Sequence, residues 1–288
     1  MRIPESELII NPDGTVFHLH LLPEELAENI ILVGDPSRVA LVSAFFDRIE
    51  SHRENREFFS TTGIHKGKRI TVQSTGIGTD TVDIVMAELD ALANVDFTTR
   101  EVKEQKKKLN LLRIGTCGAV QPDIPLGAFI YSEISIGCDG LLGWYKDGEK
   151  LMLKDYEAAF KAHCGWKDGL ASPYFVKASE EMTARFRGTD VRMGMTVSAP
   201  GFYGPQGRTV RLNPSIPGLV EKFESFSYEG HRITNIEMES SAIAGLGGLL
   251  GHNAGTICCA IANRHRKEAF PDYKNRMKEL VEFALEKV

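Results

Sequence analysis

Apolar runs of about four to eight residues, each closed by Gly, Asp or Thr and followed by an amphipathic stretch, recur along the chain. Runs of that length read as buried strands, and apolar positions returning every three or four residues read as helix faces. Three units stand out: Asn29 to Val33 before Gly34-Asp35-Pro36, Arg69 to Gln73 before Gly76-Ile77-Gly78, and Leu109 to Ile114 before Gly115-Thr116. In the first, Val39, Leu41, Val42 and Phe45 predict a helix starting close to Asp35, with Pro36 suited to its first turn. In the second, Val82, Val85, Met86, Leu89 and Leu92 predict another. Strands feeding helices imply an α/β fold, with the glycine turns at strand C-terminal ends, where such sheets bind ligands. A glycine turn that opens a helix offers free backbone N–H groups and a favourable dipole, so an anion is its natural guest.

Between the second and third units, Thr98 to Lys108 is dominated by charge and predicts the solvated end of a helix and a surface loop. Ala242 to Ala262 is the most apolar stretch, but five glycines, His252 and Asn253 interrupt it short of the roughly 20 apolar residues a membrane helix needs. It reads as buried core. With no repeat, low-complexity tract or proline-rich linker, residues 1–288 are expected to form one domain.

Composition changes the picture mainly by exclusion. Hydrophobic residues at 42% and charged residues at 25% are ordinary for a soluble globular chain, and a net charge of −5 leaves no basic surplus for a nucleic-acid polymer. Met1 to Ile10 carries Glu5 and Glu7 and lacks the apolar run of a secretory signal. Cys117, Cys138, Cys164, Cys258 and Cys259 follow no metal-binding spacing and read as reduced, mostly buried thiols. The expected location is cytoplasmic, with no membrane partner.

None of the turns is a P-loop, and Gly76-Ile77-Gly78 runs on to Thr79-Asp80-Thr81 without the third glycine of a dinucleotide fingerprint, which disfavours nucleoside triphosphates and NAD. Arginines add chemistry to these turns. Arg38 lies four residues after Gly34, and Arg113 stands inside the apolar run Leu111-Leu112-Arg113-Ile114. An unpaired buried guanidinium is costly, so Arg113 meets either a structural salt bridge or a bound anion.

Taken in order, Phe17-His18-Leu19, Gly34-Asp35-Pro36-Ser37-Arg38, Ser74-Thr75-Gly76-Ile77-Gly78, Leu112-Arg113-Ile114-Gly115-Thr116 and Asn235-Ile236-Glu237-Met238-Glu239-Ser240 resemble the nucleoside phosphorylase family of purine and uridine phosphorylases, nearest its uridine branch. The resemblance implies a three-layer α/β/α sandwich around a central mixed sheet. It also implies phosphorolytic cleavage of the N-glycosidic bond of uridine-like nucleosides, with inorganic phosphate as co-substrate and no organic cofactor. Phosphate would be held by Gly34, Arg38, Arg113 and Thr116, with one more arginine from a neighbouring subunit. That arginine is Arg56 or Arg53: Arg56 keeps the family's spacing of ten residues to the Lys66-Gly67 hairpin turn, whereas Arg53 completes a Ser-His-Arg string found in some members. Unbroken spacing constrains geometry more than a short string, which favours Arg56.

By the same resemblance, Glu239 accepts hydrogen bonds from ribose hydroxyls, Met238 packs beside the sugar, Glu237 anchors the segment, and His18 reaches the ribose 5′-hydroxyl across a subunit interface. Phe202 would stack on the base, Gln206 offer its uracil edge a donor and an acceptor, and Arg208 stabilise charge developing on the leaving base. Arg113, Arg208 and Glu239 thus form the catalytic set. Asn263 stands where purine-specific relatives carry an aspartate able to protonate N7, and Arg264 beside it is a support for the Arg208 loop or only a helix cap. Glu57, Ile77 and Thr81 correspond to positions that hold potassium between subunits in some uridine phosphorylases, with Thr81 replacing a serine.

The chain departs from the family pattern at Thr98 to Lys108, at Gly140 to Cys164, and at Ser198-Ala199-Pro200-Gly201 before the base-binding phenylalanine. The expected assembly is a homo-oligomer, a dimer at minimum and a hexamer of three dimers by family analogy. Competing readings are a purine nucleoside phosphorylase, a water-using nucleosidase of the same fold that would not need Arg38 and Arg113, and a nucleoside-binding protein without turnover.

Overall fold

All three apolar runs form strands. The computed structural model describes residues 1–288. The chain begins β1 (Asn29–Val33), α1 (Ser37–Ser43), β2 (Arg48–Asn55), β3 (Phe58–His65), β4 (Lys68–Ser74) and α2 (Thr79–Asn94). A small hairpin, β5 (Val95–Asp96) and β6 (Glu101–Val102), leads to β7 (Asn110–Ala119), β8 (Phe129–Gly137), α3 (Lys154–Cys164), β9 (Tyr174–Lys177) and α4 (Glu180–Ala184). It ends with β10 (Arg192–Ser198), α5 (Leu219–Ser225), β11 (Ser227–Tyr228), β12 (His231–Glu237), α6 (Ser240–Leu250), β13 (Asn253–Asn263), β14 (Glu268–Ala269) and α7 (Lys274–Lys287).

One mixed sheet has the strand order β11-β12-β10-β8-β13-β7-β1-β4-β3-β2, with β9 added beside β8 and β14 beside β13. Both faces are covered, as expected for near-continuous apolar strands. Along β1, Ile31 and Val33 point to a core shared with α1 and α7, while Ile30 and Leu32 point to a core shared with α2 and α6. This is the three-layer arrangement. The sheet also curls, because β12 pairs antiparallel with β7 through Asn235–Ala119 and Ile236–Gly118, closing β7, β13, β8, β10 and β12 into a ring. That closure brings the end of β12 beside the end of β7.

One expectation needs correction. Thr98 to Lys108 is not simply a solvated loop: Arg100, 8% exposed, sits in the hairpin and donates to the carbonyls of Ile3, Pro4 and Leu8, tying down the N-terminal arm. The glycines of α6 are packing devices. A Cβ on Gly245 or Gly248 would lie 3.0 Å from Leu142 or Leu151, both from Gly140 to Cys164, which folds over this helix as two short 3₁₀ turns followed by α3. All five cysteines are free thiols, four of them buried, and no helix is long and apolar enough to cross a membrane.

Candidate active site

A cleft of about 1830 Å³ opens where β7, β12 and β13 end. Its lining includes Gly34, Arg38, Arg113, Thr116, Met238 and Glu239, and also Phe202, Gln206 and Arg208. The sequence-predicted phosphate, ribose and base residues of one chain therefore share a single cavity. His18 and Arg56, the two residues expected to cross between subunits, do not line it.

The floor is an ion-pair network. Arg113 projects from β7 and is 4% exposed; its Nη1 donates to Glu237 Oε2 at 3.2 Å and its Nη2 to Glu239. Its Nε makes no hydrogen bond. Burial alone would lower the Arg113 pKa, but the carboxylates of Glu239 and Glu237 outweigh it and raise it. Burial, and then Glu237, push the Glu239 carboxyl upward against the pull of Arg113. The salt bridge and the anion site that the sequence leaves open for Arg113 are thus compatible: the guanidinium is both paired and on the cleft wall.

Glu237 fixes the whole segment, as expected. It accepts from Ser198 Oγ at 2.8 Å, from the Glu239 N–H at 2.9 Å and from the Ser240 N–H at 3.0 Å. Gly78 N–H donates to Glu239 Oε1 at 2.8 Å. Gly78, at φ 100° and ψ 166°, occupies a region open essentially to glycine alone, and this aims its N–H at the carboxylate. The anion expected at the second glycine turn is therefore a side chain of the same protein. Arg38 reaches the cleft from the first turn of α1 and, unlike Arg113, enters no ion pair.

In the loop after β10, Gln206 is buried and its side-chain oxygen accepts from Arg208 Nη1. Arg208 also donates to the Phe202 carbonyl at 2.6 Å, and its guanidinium lies 3.8 Å from the centre of the Phe202 ring. One face of the ring expected to stack on a base is thus already covered by Arg208. Burial and then Arg264 push the Arg208 pKa down to about 10. Arg264 supports the loop, donating to the Gln206 carbonyl at 3.0 Å. Asn263 also lines the cleft, but its amide is committed: Nδ2 donates to the carbonyls of Gln121 and Ile124, and Oδ1 accepts from the Arg266 N–H.

Arg53 and Arg56 differ sharply. Arg53 makes a two-pronged pair with Glu25 of its own chain, at 2.8 to 3.2 Å. Arg56 stands at the tip of the β2–β3 hairpin at φ 53°, its guanidinium 5.9 Å from the Phe17 ring centre and in no ion pair. It therefore neighbours the Phe17-His18 loop. Glu57, Ile77 and Thr81 meet around Gly76 at the cleft edge, offering a carboxylate, a backbone carbonyl and a hydroxyl, a hard oxygen set for a monovalent cation. No cluster of three His, Cys, Asp or Glu side chains is arranged for a metal.

Sequence reasoning overlooked Glu88, which holds His18, and the role of Ser198 in holding Glu237. Glu88 had a signal: a carboxylate on the apolar stripe formed by Val85, Leu89 and Leu92. The Ser198 contact had none, being set by the pairing of β10 with β12.

A sequence profile of the Phosphorylase superfamily matches residues 28–287. The uridine phosphorylase of Thermococcus kodakarensis is 29% identical over 262 residues, covering 89% of this chain and 80% of that protein. The DeoD-type 1 purine nucleoside phosphorylase of Vibrio cholerae is 27% identical over 276 residues, covering 94% and 95%. A crystal structure of a Trypanosoma brucei nucleoside phosphorylase, described as showing uridine phosphorylase activity, matches with a TM-score of 0.85 at 30% identity, covering 98% of this chain and 100% of that one.

Proposed function

The chain belongs to the phosphorylase superfamily, and from that premise we propose that it splits the N-glycosidic bond of uridine-like pyrimidine nucleosides with inorganic phosphate, releasing free base and ribose or deoxyribose 1-phosphate. The observation that carries this reading is the single cleft that Arg38, Arg113, Met238, Glu239, Gln206 and Arg208 line together. Phosphate at Arg38 and Arg113 would face the anomeric carbon of a sugar lying over Met238. Glu239 would accept from the ribose hydroxyls while Arg113 keeps it oriented.

Charge determines how phosphate is held. Arg113 already faces two carboxylates, so its floor is negative overall and a dianion needs further cations. Arg38 is one, and Thr116 and the Gly34 N–H orient the oxygens. We assign the other to Arg56 of a second subunit, since Arg53 is spent on Glu25. His18 would arrive with it, because Phe17 lies against Arg56. A dimer is therefore the minimum active unit in this proposal, with a hexamer of three dimers as its larger form, and Glu57, Ile77 and Thr81 would hold potassium at the subunit boundary.

As the glycosidic bond lengthens, the sugar gains positive character beside the phosphate and the base gains negative charge beside Arg208. No proton-donating acid is needed at a uracil ring. Purine phosphorylases are also among the relatives, but Asn263 lacks an acidic proton for N7 and its amide is committed to main-chain carbonyls, so the cleft suits pyrimidines better.

Incubating the protein with uridine, with and without phosphate, tests the proposal. Uracil and ribose 1-phosphate are expected only with phosphate. Equal uracil release without phosphate indicates a nucleosidase, binding without release indicates a nucleoside-binding protein, and preferred cleavage of inosine rejects the base assignment.

A further inference from the structure

We infer that Glu88 is a positioning residue for His18, and that it serves the active site of the neighbouring subunit. This rests on the reading that His18 meets the nucleoside 5′-hydroxyl across the subunit boundary. Glu88 lies midway along α2 and is 8% exposed. A buried carboxylate is costly unless hydrogen bonds satisfy it. Here no lysine or arginine does so; every donor comes from one loop. The His18 N–H lies 3.0 Å from each carboxylate oxygen, the Leu19 N–H donates to Oε2 at 2.9 Å, and His18 Nδ1 is 2.6 Å from Oε1.

The arrangement selects a tautomer. With Nδ1–H donating to Glu88, Nε2 is the ring atom left without an intrachain partner, and the His18 side chain is 27% exposed. The ring is also held edge-on by Phe17 at 4.8 Å and by Phe58 at 6.1 Å, and Asn55 Nδ2 donates to the His18 carbonyl at 2.8 Å. Asn55 adjoins Arg56, so one surface presents both the imidazole and the free guanidinium. The same helix has a different duty at its start, where Gly78 holds Glu239 of its own cleft. One rigid element thus orients Glu239 for the subunit it belongs to and His18 for the next.

The test compares uridine with 5′-deoxyuridine. A single hydrogen bond to the hydroxyl gives the wild-type enzyme about a tenfold preference for uridine in kcat/KM. Glu88→Gln, with one acceptor oxygen in place of two, is expected to bring that preference close to one, mainly through a higher KM for uridine. Glu88→Asp, still charged but one methylene shorter, should retain part of it and carries the same comparison should the glutamine variant fail to assemble. His18→Ala should erase the preference, and adding Glu88→Gln to it should cause no further loss. Hybrid dimers of Glu88→Gln and Arg38→Ala subunits should regain the wild-type preference, because one of their two sites draws Arg38 from one subunit and Glu88 with His18 from the other.

A full preference in both Glu88 variants beside a lost one in His18→Ala overturns the inference and leaves the function standing, as does a hybrid that regains nothing. A wild-type enzyme indifferent to the 5′-hydroxyl overturns the inference and the reading of His18 together. A wild-type enzyme that releases no uracil from uridine and phosphate removes the proposed function itself.

Discussion

Replacing Arg113 with alanine removes the cation that two buried carboxylates share. Glu237 and Glu239 side chains are 1% and 5% exposed, so neither can recover its charge stabilisation from water. Breaking a buried ion pair by deleting one partner costs about 3–5 kcal/mol, because the remaining charge is left uncompensated. Unfolding entropy of about 2.1 cal/mol/K for each of the 288 residues comes to about 0.6 kcal/mol/K, so the melting temperature should fall by roughly 5–8 °C. The loss should depend on pH. Burial already raises the Glu239 carboxyl, and without the pull of Arg113 it lies further above its unfolded value, so the variant keeps its stability below the ordinary carboxylate range and loses it as pH rises through the folded value. Adding Glu239→Gln should restore part of the melting temperature without restoring phosphorolysis, which separates the structural and catalytic parts of Arg113. Thermal melts between pH 4 and pH 8 with phosphate-saturation kinetics provide both readouts. A variant melting within about 1 °C of wild type at neutral pH would refute the ion-pair reasoning, and saturation at the wild-type phosphate concentration would refute the proposed contact.

The two candidate arginines should separate cleanly: Arg56→Ala should weaken phosphate saturation about tenfold or more with little change in melting temperature, whereas Arg53→Ala should do little to phosphate kinetics and free Glu25. Gly115→Ala would place a Cβ on the Arg113 guanidinium and 2.9 Å from Cys258 Sγ; we expect about 1–3 kcal/mol of destabilisation in chemical denaturation and a loss of turnover larger than the stability loss explains. Burial raises the Asp139 carboxyl above its ordinary value of 3.8, although it accepts from the Leu141 N–H, Tyr174 Oη and Ser241 Oγ. Its stability contribution is therefore present below that value and lost as pH rises through the folded one, so Asp139→Asn should melt higher than wild type at neutral pH, with the gap closing in acid. A gap that widens in acid would contradict this.

The fold was legible where the pattern is local. The strands β1 and β7 are apolar on both faces because helices cover both, β4 is apolar on one through Ile70 and Val72, and the turns that follow these strands are marked by glycine. The Lys66-Gly67 turn was equally plain, since both residues take positive φ in a two-residue hairpin. The closure of β12 onto β7 was not legible. It rests on two residue pairs between segments more than a hundred positions apart, and neither segment carries a mark of its partner. Arg100 misled for the opposite reason: a lone arginine in a charged run looks solvated until the N-terminal carbonyls it binds are in place.

The site follows the same division. Residue types survive in sequence, but which atoms are already in use does not. Arg113 read as either a structural or a ligand-binding residue, and the β7–β12 closure makes those alternatives one, since the carboxylates that stabilise it are themselves cleft residues. In the proposed reaction its charge is then unavailable in full to phosphate, which makes a third arginine an electrostatic requirement of that proposal. Within its own chain Arg53 cannot meet that requirement, being held by Glu25, while Arg56 sits at positive φ on a hairpin tip with no acidic partner. That φ follows from the two-residue Arg56-Glu57 turn that joins β2 to β3, and the turn sets the side chain out at the hairpin tip. The tip lies beside Phe17 and His18, so in the proposed dimer one surface carries both groups to the neighbouring cleft, and Arg56→Ala tests whether its charge completes the phosphate site there.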